Sequence, residues 1–231
     1  MNISIGSNDE GKEIVHNLTK LPVILMAGQS DSGKSILAHS IICSLIKQYK
    51  SSDLKLMLID CKQVEFIFYK NIPYLFVPVS NCCNSDIVVL DQINKEILRR
   101  KQVNIKKPFI FVVIDEFSDL AYQFPAQLES LVDKIAAAGS KTGVGLLLFT
   151  SRLDKEVITP KLDKLIETRI GFETASDIDS ETIIHQKGCT ELLGKGDGLY
   201  LRYSDSKPIH FQAPHVTEEE IEETVSIIKS Y

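Results

Sequence analysis

An apolar run, Pro22-Val-Ile-Leu-Met-Ala27, leads directly into Gly28-Gln-Ser-Asp-Ser-Gly-Lys-Ser35, after which Leu37, Ile41 and Leu45 recur at helical spacing. No other feature constrains the chain as much, because a strand, then GxxxxGKS/T, then a helix is the arrangement of a phosphate-binding loop. The chemistry needs that order. Glycines let the backbone curl so that successive N–H groups face an anion, and the helix N-terminus adds partial positive charge. Gly28, Gln29, Ser30, Asp31, Ser32, Gly33, Lys34, Ser35 and Ile36 are therefore the expected contacts of a nucleoside triphosphate. Lys34 is expected to reach the β- and γ-phosphates, and the Ser35 hydroxyl to ligate magnesium. Asp31 stands in mid-loop, where its carboxylate must point away from phosphate.

Short β-rich runs alternate with helical periods along the rest of the chain, which predicts an α/β fold with a mainly parallel central sheet and helices on both faces. Expected strands are Lys55–Ile59, a short Leu75–Val79, Phe109–Ile114, Gly145–Phe149 and Thr168–Phe172. Phe109–Ile114 is apolar on both faces and so central. Expected helices span Ser85–Lys101, with Ile87, Leu90, Ile93 and Ile97 on one face, and a segment opened by Pro125, with Leu128, Leu131, Val132 and Ile135 inward. Leu199–Tyr203 and Pro208–Gln212 suggest a C-terminal hairpin. Thr217-Glu-Glu-Glu220 reads as a capping box opening a last helix with Ile221, Val225 and Ile228 inward. No repeat or linker is visible, so residues 1–231 are expected to form one domain, with 1–20 a lead-in and 214–231 the closing helix.

Phe111-Val-Val-Ile-Asp115-Glu116 supplies the complement to the loop. Carboxylates at the end of a buried central strand lie beside the phosphate loop in such a sheet. Asp115 is expected to hold the metal, and Glu116 to polarise the attacking water. Thr150-Ser-Arg152 ends the following strand, placing Thr150 to sense the terminal phosphate and Arg152 to carry charge toward a neighbour or DNA.

Bulk properties narrow the partners. The net charge of −5 excludes a generally basic nucleic-acid coat, so any DNA contact must be local. No run of about 18 apolar residues is present, which predicts no membrane span. Five cysteines, Cys82 and Cys83 among them, show no zinc spacing or disulfide framework, which fits a reducing cytoplasm. The five histidines show no ligand spacing either, and no metal beyond magnesium is expected.

The chain resembles the motor domain of the FtsK/SpoIIIE DNA translocases, within the FtsK–HerA group of ring ATPases. The likeness runs from about Ile5 to Ile228 and includes Met26–Ser35, Leu58-Ile-Asp-Cys-Lys62 with Val64-Glu65, Asn71-Ile-Pro-Tyr-Leu75, and Val113–Leu120. Thr168-Arg-Ile170, Ile178-Asp-Ser180 with Thr182-Ile183, and Leu192-Leu-Gly-Lys-Gly-Asp197 with Leu199-Tyr200 are its more specific parts. The resemblance implies a RecA-like P-loop core, assembled as a homo-oligomeric, hexameric ring around double-stranded DNA, with ATP and Mg2+ between subunits. It further implies that Arg169 lies near the subunit interface or the nucleotide, and that Gly194 and Asp197 help shape the nucleotide pocket.

Departures from the family pattern are equally specific. Thr150-Ser-Arg-Leu153 replaces the usual threonine-glutamine-arginine-proline, and Ser140 stands where the family has an arginine, leaving Lys141 as its substitute for trans-acting contact. The membrane part, the preceding domain and the winged-helix reader of the cell-division translocases have no counterpart, as expected of a mobile-element or phage motor core or of one recruited by an accessory protein. Lys155, Lys161 and Lys164 are the favoured DNA contacts, ahead of Lys95–Lys101 and Lys106-Lys107. Two alternatives stand beside the translocase: a protein-export ATPase of the type VII secretion kind, and a nucleotide-binding assembly module with little hydrolysis.

Overall fold

The structure is a computed structural model that describes residues 1–60, 62–80 and 83–229, and of 83–87 the backbone alone. Cys61 and Cys82 lie outside the described residues, as do the side chains of Cys83 and Ile87. The elements follow in the order β1 (Asn2–Ser7), β2 (Glu13–Asn17), β3 (Val23–Ala27), α1 (Lys34–Gln48), β4 (Leu54–Asp60), α2 (Cys83–Val103) and β5 (Phe109–Asp115). Then come α3 (Ser118–Gln123), α4 (Pro125–Thr142), β6 (Val144–Thr150), α5 (Pro160–Leu165), β7 (Thr168–Phe172), α6 (Asp177–Ile184), β8 (Asp197–Arg202), β9 (Ile209–Gln212) and α7 (Glu218–Lys229).

The nine strands among the described residues share one sheet, ordered β2-β1-β9-β8-β7-β3-β6-β5-β4. The stretch β7-β3-β6-β5-β4 is parallel, and the remainder is antiparallel. Strand alternation divides the core into two layers. Ile24 and Met26 of β3, with Phe109, Phe111 and Val113 of β5, pack on the face covered by Leu37, Ile41 and Leu45 of α1 and Ile221 and Val225 of α7. Val23, Leu25 and Ala27, with Ile110, Val112 and Ile114, face α2 and α4 through Leu90, Ile93, Ile97, Leu128, Leu131, Val132 and Ile135. Helices thus cover both faces, and the α/β architecture expected from the sequence is the one observed. The capping box forms reciprocally: Thr217 N donates to Glu220 Oε2 at 2.8 Å and Glu220 N to Thr217 Oγ1 at 3.2 Å.

One expected strand is absent. Leu75–Val79 forms no ladder; isolated bridges join Leu56 with Leu75 and Ile59 with Ser80 along the edge of β4. Pro78 has no N–H to give a ladder there. The segment still shields part of an edge strand that would otherwise offer unpaired backbone groups. The lead-in, by contrast, forms β1 and β2, with Ile3 and Ile5 buried at period two.

Strand order places the site. From β3 the chain crosses to the far edge at β4 and returns through β5 to β6, which settles beside β3. The carboxyl ends of β3, β6 and β5 therefore adjoin, at the point where strand order reverses and such sheets hold ligands. At the opposite end Arg100, only 1% exposed, ties α2 to α4. Its Nε donates to Glu96 Oε1 at 2.7 Å, and its Nη1 to the carbonyls of Thr142 and Gly143 at 2.9 and 3.3 Å. Arg100→Met is expected to lower unfolding free energy by about 1–3 kcal/mol in urea titrations, because the carbonyls of Thr142 and Gly143 lose their buried donor while Glu96 keeps Arg99. Arg99→Ala, whose side chain meets the same Glu96 from solvent, should leave the midpoint unchanged.

Candidate active site

The loop from Gly28 to Gly33 turns out of β3 and starts α1. The first helical bond is Leu37 N to Gly33 O at 3.0 Å, so the N–H groups of the first turn have no partner within the helix. Gly33 has φ +115, and a Cβ there would stand 2.6 Å from Gly196 N. Only glycine permits this approach, which packs the loop against the turn before β8, where Gly196 N donates to Ser32 O at 2.8 Å. Gly194 and Asp197 flank that turn, so both expected residues adjoin the loop. Asp197 accepts from Leu193 N at 2.8 Å and pairs with His210 Nε2 at 2.6 Å, while His210 Nδ1 pairs with Asp9 Oδ1 at 2.6 Å. Hydrogen bonding to Asp9, ahead of that to Asp197, raises the proton affinity of His210. Asp31 takes φ +61 on the exposed crown, where a carboxylate stays in water.

Lys34 is buried and folds back over the loop, its Nζ donating to the carbonyls of Gly28 and Gln29 at 2.8 and 2.7 Å. Burial lowers its proton affinity, opposed by the charges of Glu116, Asp115, Asp31 and Glu65. The ammonium and the two carboxylates ending β5 therefore share one cleft. Ser35 Oγ donates to Glu65 Oε1 at 2.8 Å, and Glu65 Oε2 meets His39 Nε2 at 3.4 Å. Glu65 carries no expected role from the sequence; its place five residues beyond Asp60, in the loop after β4, is the signal that points to it.

Asp115 and Glu116 are adjacent, 7% and 6% exposed, and titrate in opposite directions. Burial, then the charges of Glu65, Asp60 and Glu116, pushes Asp115 up to about 7. Burial acts the same way on Glu116, but hydrogen bonds from Thr150, Ser151 and Ser118 outweigh it and bring that carboxyl down to about 2. Ser118 Oγ donates at 2.9 Å, Ser151 N at 3.0 Å and Ser151 Oγ at 2.7 Å, with Thr150 Oγ1 and Lys62 Nζ completing the set. Thr150 thus contacts Glu116 directly, and the serine in the family's glutamine position is part of the same grip.

The donor set fits a polyphosphate with a hard divalent cation. Ser32 Oγ is buried in the loop without a hydrogen-bond partner, Lys34 is bonded to loop carbonyls, and Ser35 and Asp115 offer hard oxygen ligands. Among the described residues no three His, Cys, Asp or Glu side chains form a metal cage of their own. A magnesium-sized ion needs none, since it keeps waters and phosphate oxygens beside one or two protein ligands.

Other expected contacts lie elsewhere. Arg169 is only 4% exposed and sits in the amino-terminal half of β7. Its guanidinium is engaged by the carbonyls of Ile183 and Asp163 at 3.0 and 2.7 Å and by Asp163 Oδ1 at 2.8 Å, a structural role that sequence cannot separate from a surface one. Lys141 is exposed in the last turn of α4, at the sheet end opposite the loop. Arg152 is exposed with its guanidinium over the Tyr122 ring, 5.8 Å from the centroid. Lys161 pairs with Glu129 at 3.1 Å, while Lys155 and Lys164 are exposed with no ion-pair partner among the described residues.

The raised Asp115 fixes the sign of a pH effect. With a folded value near 7 and an unfolded value near 4, the folded state binds the extra proton, so this group's contribution falls as pH rises from about 4 to about 7. Asp115→Asn should accordingly raise the melting temperature of the metal-free, nucleotide-free protein by a few degrees at pH 8 and by less at pH 5. Equal gains at both pH values would contradict the assignment.

Residues 1–104 match the model of the FtsK/SpoIIIE family. The DNA translocase FtsK of Clostridium tetani is 34% identical over 248 aligned residues, covering 98% of this chain and 33% of that protein. The chain spans about a third of the length of the curated relatives it matches. Among solved structures, the pCW3 conjugation coupling protein TcpA, a monomer form with ATPγS, aligns with TM-score 0.83 at 23% identity over 98% of this chain and 70% of its own. The cytoplasmic domain of the Thermomonospora curvata type VII secretion ATPase EccC gives TM-score 0.83 at 22% identity, over 97% of this chain and 30% of that one. At such identities the two structures establish the P-loop ATPase fold alone. Sequence identity carries further, past the family model's limit through the acidic end of β5 and the turn before β8, and on that ground this chain belongs to the FtsK/SpoIIIE family.

Proposed function

We propose that residues 1–231 act as one ATPase motor unit that binds ATP with Mg2+, hydrolyses it, and moves double-stranded DNA as an oligomeric, hexameric ring of identical subunits. The setting we propose is the cytoplasm, in the service of a mobile element or phage, with an accessory protein for recruitment. The observation that carries this reading is that the Lys34 loop after β3 and the Asp115–Glu116 end of β5 stand at the same edge of the sheet, on either side of β6, whose Thr150 and the following Ser151 hold Glu116. Identity to proteins named DNA translocases supports DNA as cargo over an exported protein, because the secretion ATPase shares the fold at lower identity.

When bound, magnesium–ATP supplies an electrophilic terminal phosphorus and a diphosphate leaving group. Lys34, now satisfied by two loop carbonyls, would exchange them for phosphate oxygens at little cost. Ser35 would leave Glu65 to ligate the metal, with Asp115 beside it, and a cation there would return the Asp115 carboxyl to its charged form. Glu116 would orient a water molecule and take its proton, and Thr150, Ser151 and Ser118 hold that carboxylate in place. Arg152, Lys155 and Lys164, exposed beyond the end of β6, are the cations offered to duplex DNA or a neighbouring subunit; Lys141 is a second candidate for the neighbour. No helix among the described residues is long and apolar enough to cross a membrane.

ATPase rate against protein concentration, with and without long duplex DNA, tests the proposal. Turnover should rise steeply with concentration and again with DNA. Lys34→Ala should abolish nucleotide binding, whereas Glu116→Gln should bind ATP and lose about 100-fold or more in turnover. DNA that neither binds nor stimulates would sink the translocase reading. Tight ATP binding with negligible turnover at every concentration would instead identify an assembly module, and capture of a secreted protein an export ATPase.

A further inference from the structure

Glu116 is over-supplied with donors. Its Oε1 accepts from Ser118 Oγ, Thr150 Oγ1 and Ser151 N, and its Oε2 from Ser151 Oγ at 2.7 Å and Lys62 Nζ at 3.4 Å. A carboxylate offers about four acceptor sites. With all of them taken, none is left for a water molecule, so the group that would serve as base is present but blocked. One donor has to leave.

The donors differ in how firmly they are placed. Ser118 stands in the first turn of α3, and Thr150 and Ser151 end β6, so their short side chains are set by ordered backbone. Lys62 has a long flexible stem and a side chain 54% exposed, and its bond to Glu116 is the longest of the five. It lies two residues beyond Asp60, which is in register with Asp115, so it enters the cleft from the β4 side. Its charge also reaches Asp115. A terminal phosphate carries more negative charge than one carboxylate already shared among three hydroxyls and an N–H, and draws an ammonium more strongly.

We propose that Lys62 contacts the terminal phosphate of a bound nucleoside triphosphate, and that its departure frees Oε2 of Glu116 for water. Ser151 Oγ stays on Oε2 and keeps the carboxylate oriented. A nucleoside diphosphate has no group at that position, so Lys62 remains on Glu116 and the base stays blocked. Lys62 is thus a positioning residue that distinguishes triphosphate from diphosphate, a role that rests on the nucleotide reading above.

Calorimetric titration of ATPγS and ADP, each with Mg2+, decides the matter without hydrolysis. Lys62→Met should weaken ATPγS about tenfold while ADP stays within about twofold, and Lys62→Arg should restore most of the difference. Glu116→Gln, which removes the competing charge, should tighten ATPγS relative to ADP about threefold, and this gain should vanish in the Glu116→Gln/Lys62→Met double variant. Equal effects of Lys62→Met on the two nucleotides, or none, would overturn the phosphate contact. A Glu116→Gln gain that persists without Lys62 would overturn the release. Wild-type protein binding neither nucleotide would remove the nucleotide reading itself, whereas a fully active Glu116→Gln would remove only the base assignment and leave the affinity ratio to judge Lys62.

Discussion

Two neighbouring carboxylates at the end of a buried strand cannot both be comfortable, and the site is organised around that tension. Asp115 and Glu116 end β5, the strand between β6 and β4, so neither can retreat into water. The chain resolves the conflict asymmetrically. Hydroxyls and an N–H from α3 and the end of β6 hold Glu116 charged, while Asp115, with Glu65 and Asp60 nearby, is pushed toward the neutral form. Pairs driven apart in this way are where acid–base roles separate. An unliganded cleft in that condition is charged against itself and disposed toward a cation and an anion arriving together.

Support for the loop comes from the antiparallel half of the sheet, which carries none of the loop's own residues. The turn before β8 presses on Gly33 and Ser32, and Asp197 anchors that turn to β9 through His210, which reaches on to Asp9 between β1 and β2. Elements that are merely extra strands by topology therefore brace the loop from behind. Preorganisation of this kind matters, because a phosphate cradle that must be assembled on binding spends affinity on ordering its own backbone.

Part of the positive charge on this chain is engaged internally. Arg100 and Arg169 are buried against carbonyls and carboxylates, and Lys95, Lys107 and Lys161 face acidic neighbours. Arg152, Lys155 and Lys164, exposed beyond the end of β6, are among the cations with no acidic partner among the described residues. With a net charge of −5, attraction to DNA from one subunit would be slight, so the proposed motor would depend on summing a few contacts over several copies.

Sequence by itself determined the loop, the acidic strand end, the two-faced helical cover and the family, because each rests on local order: strand–loop–helix spacing, apolar runs and periodicity read along a contiguous stretch. It left residues 1–20 as a lead-in, which the structure folds into β1 and β2 with Ile3 and Ile5 buried. The fate of Leu75–Val79 was less legible, since a strand exists only if its N–H groups find a ladder, and Pro78 withholds one. Which cations are free, which hydroxyls grip Glu116, and that Lys62 and Glu65 enter the cleft were decided by the tertiary structure alone. Those facts depend on β4, β5 and β6 coming side by side from distant parts of the chain, and the meeting of groups so far apart in sequence leaves no periodic trace in it.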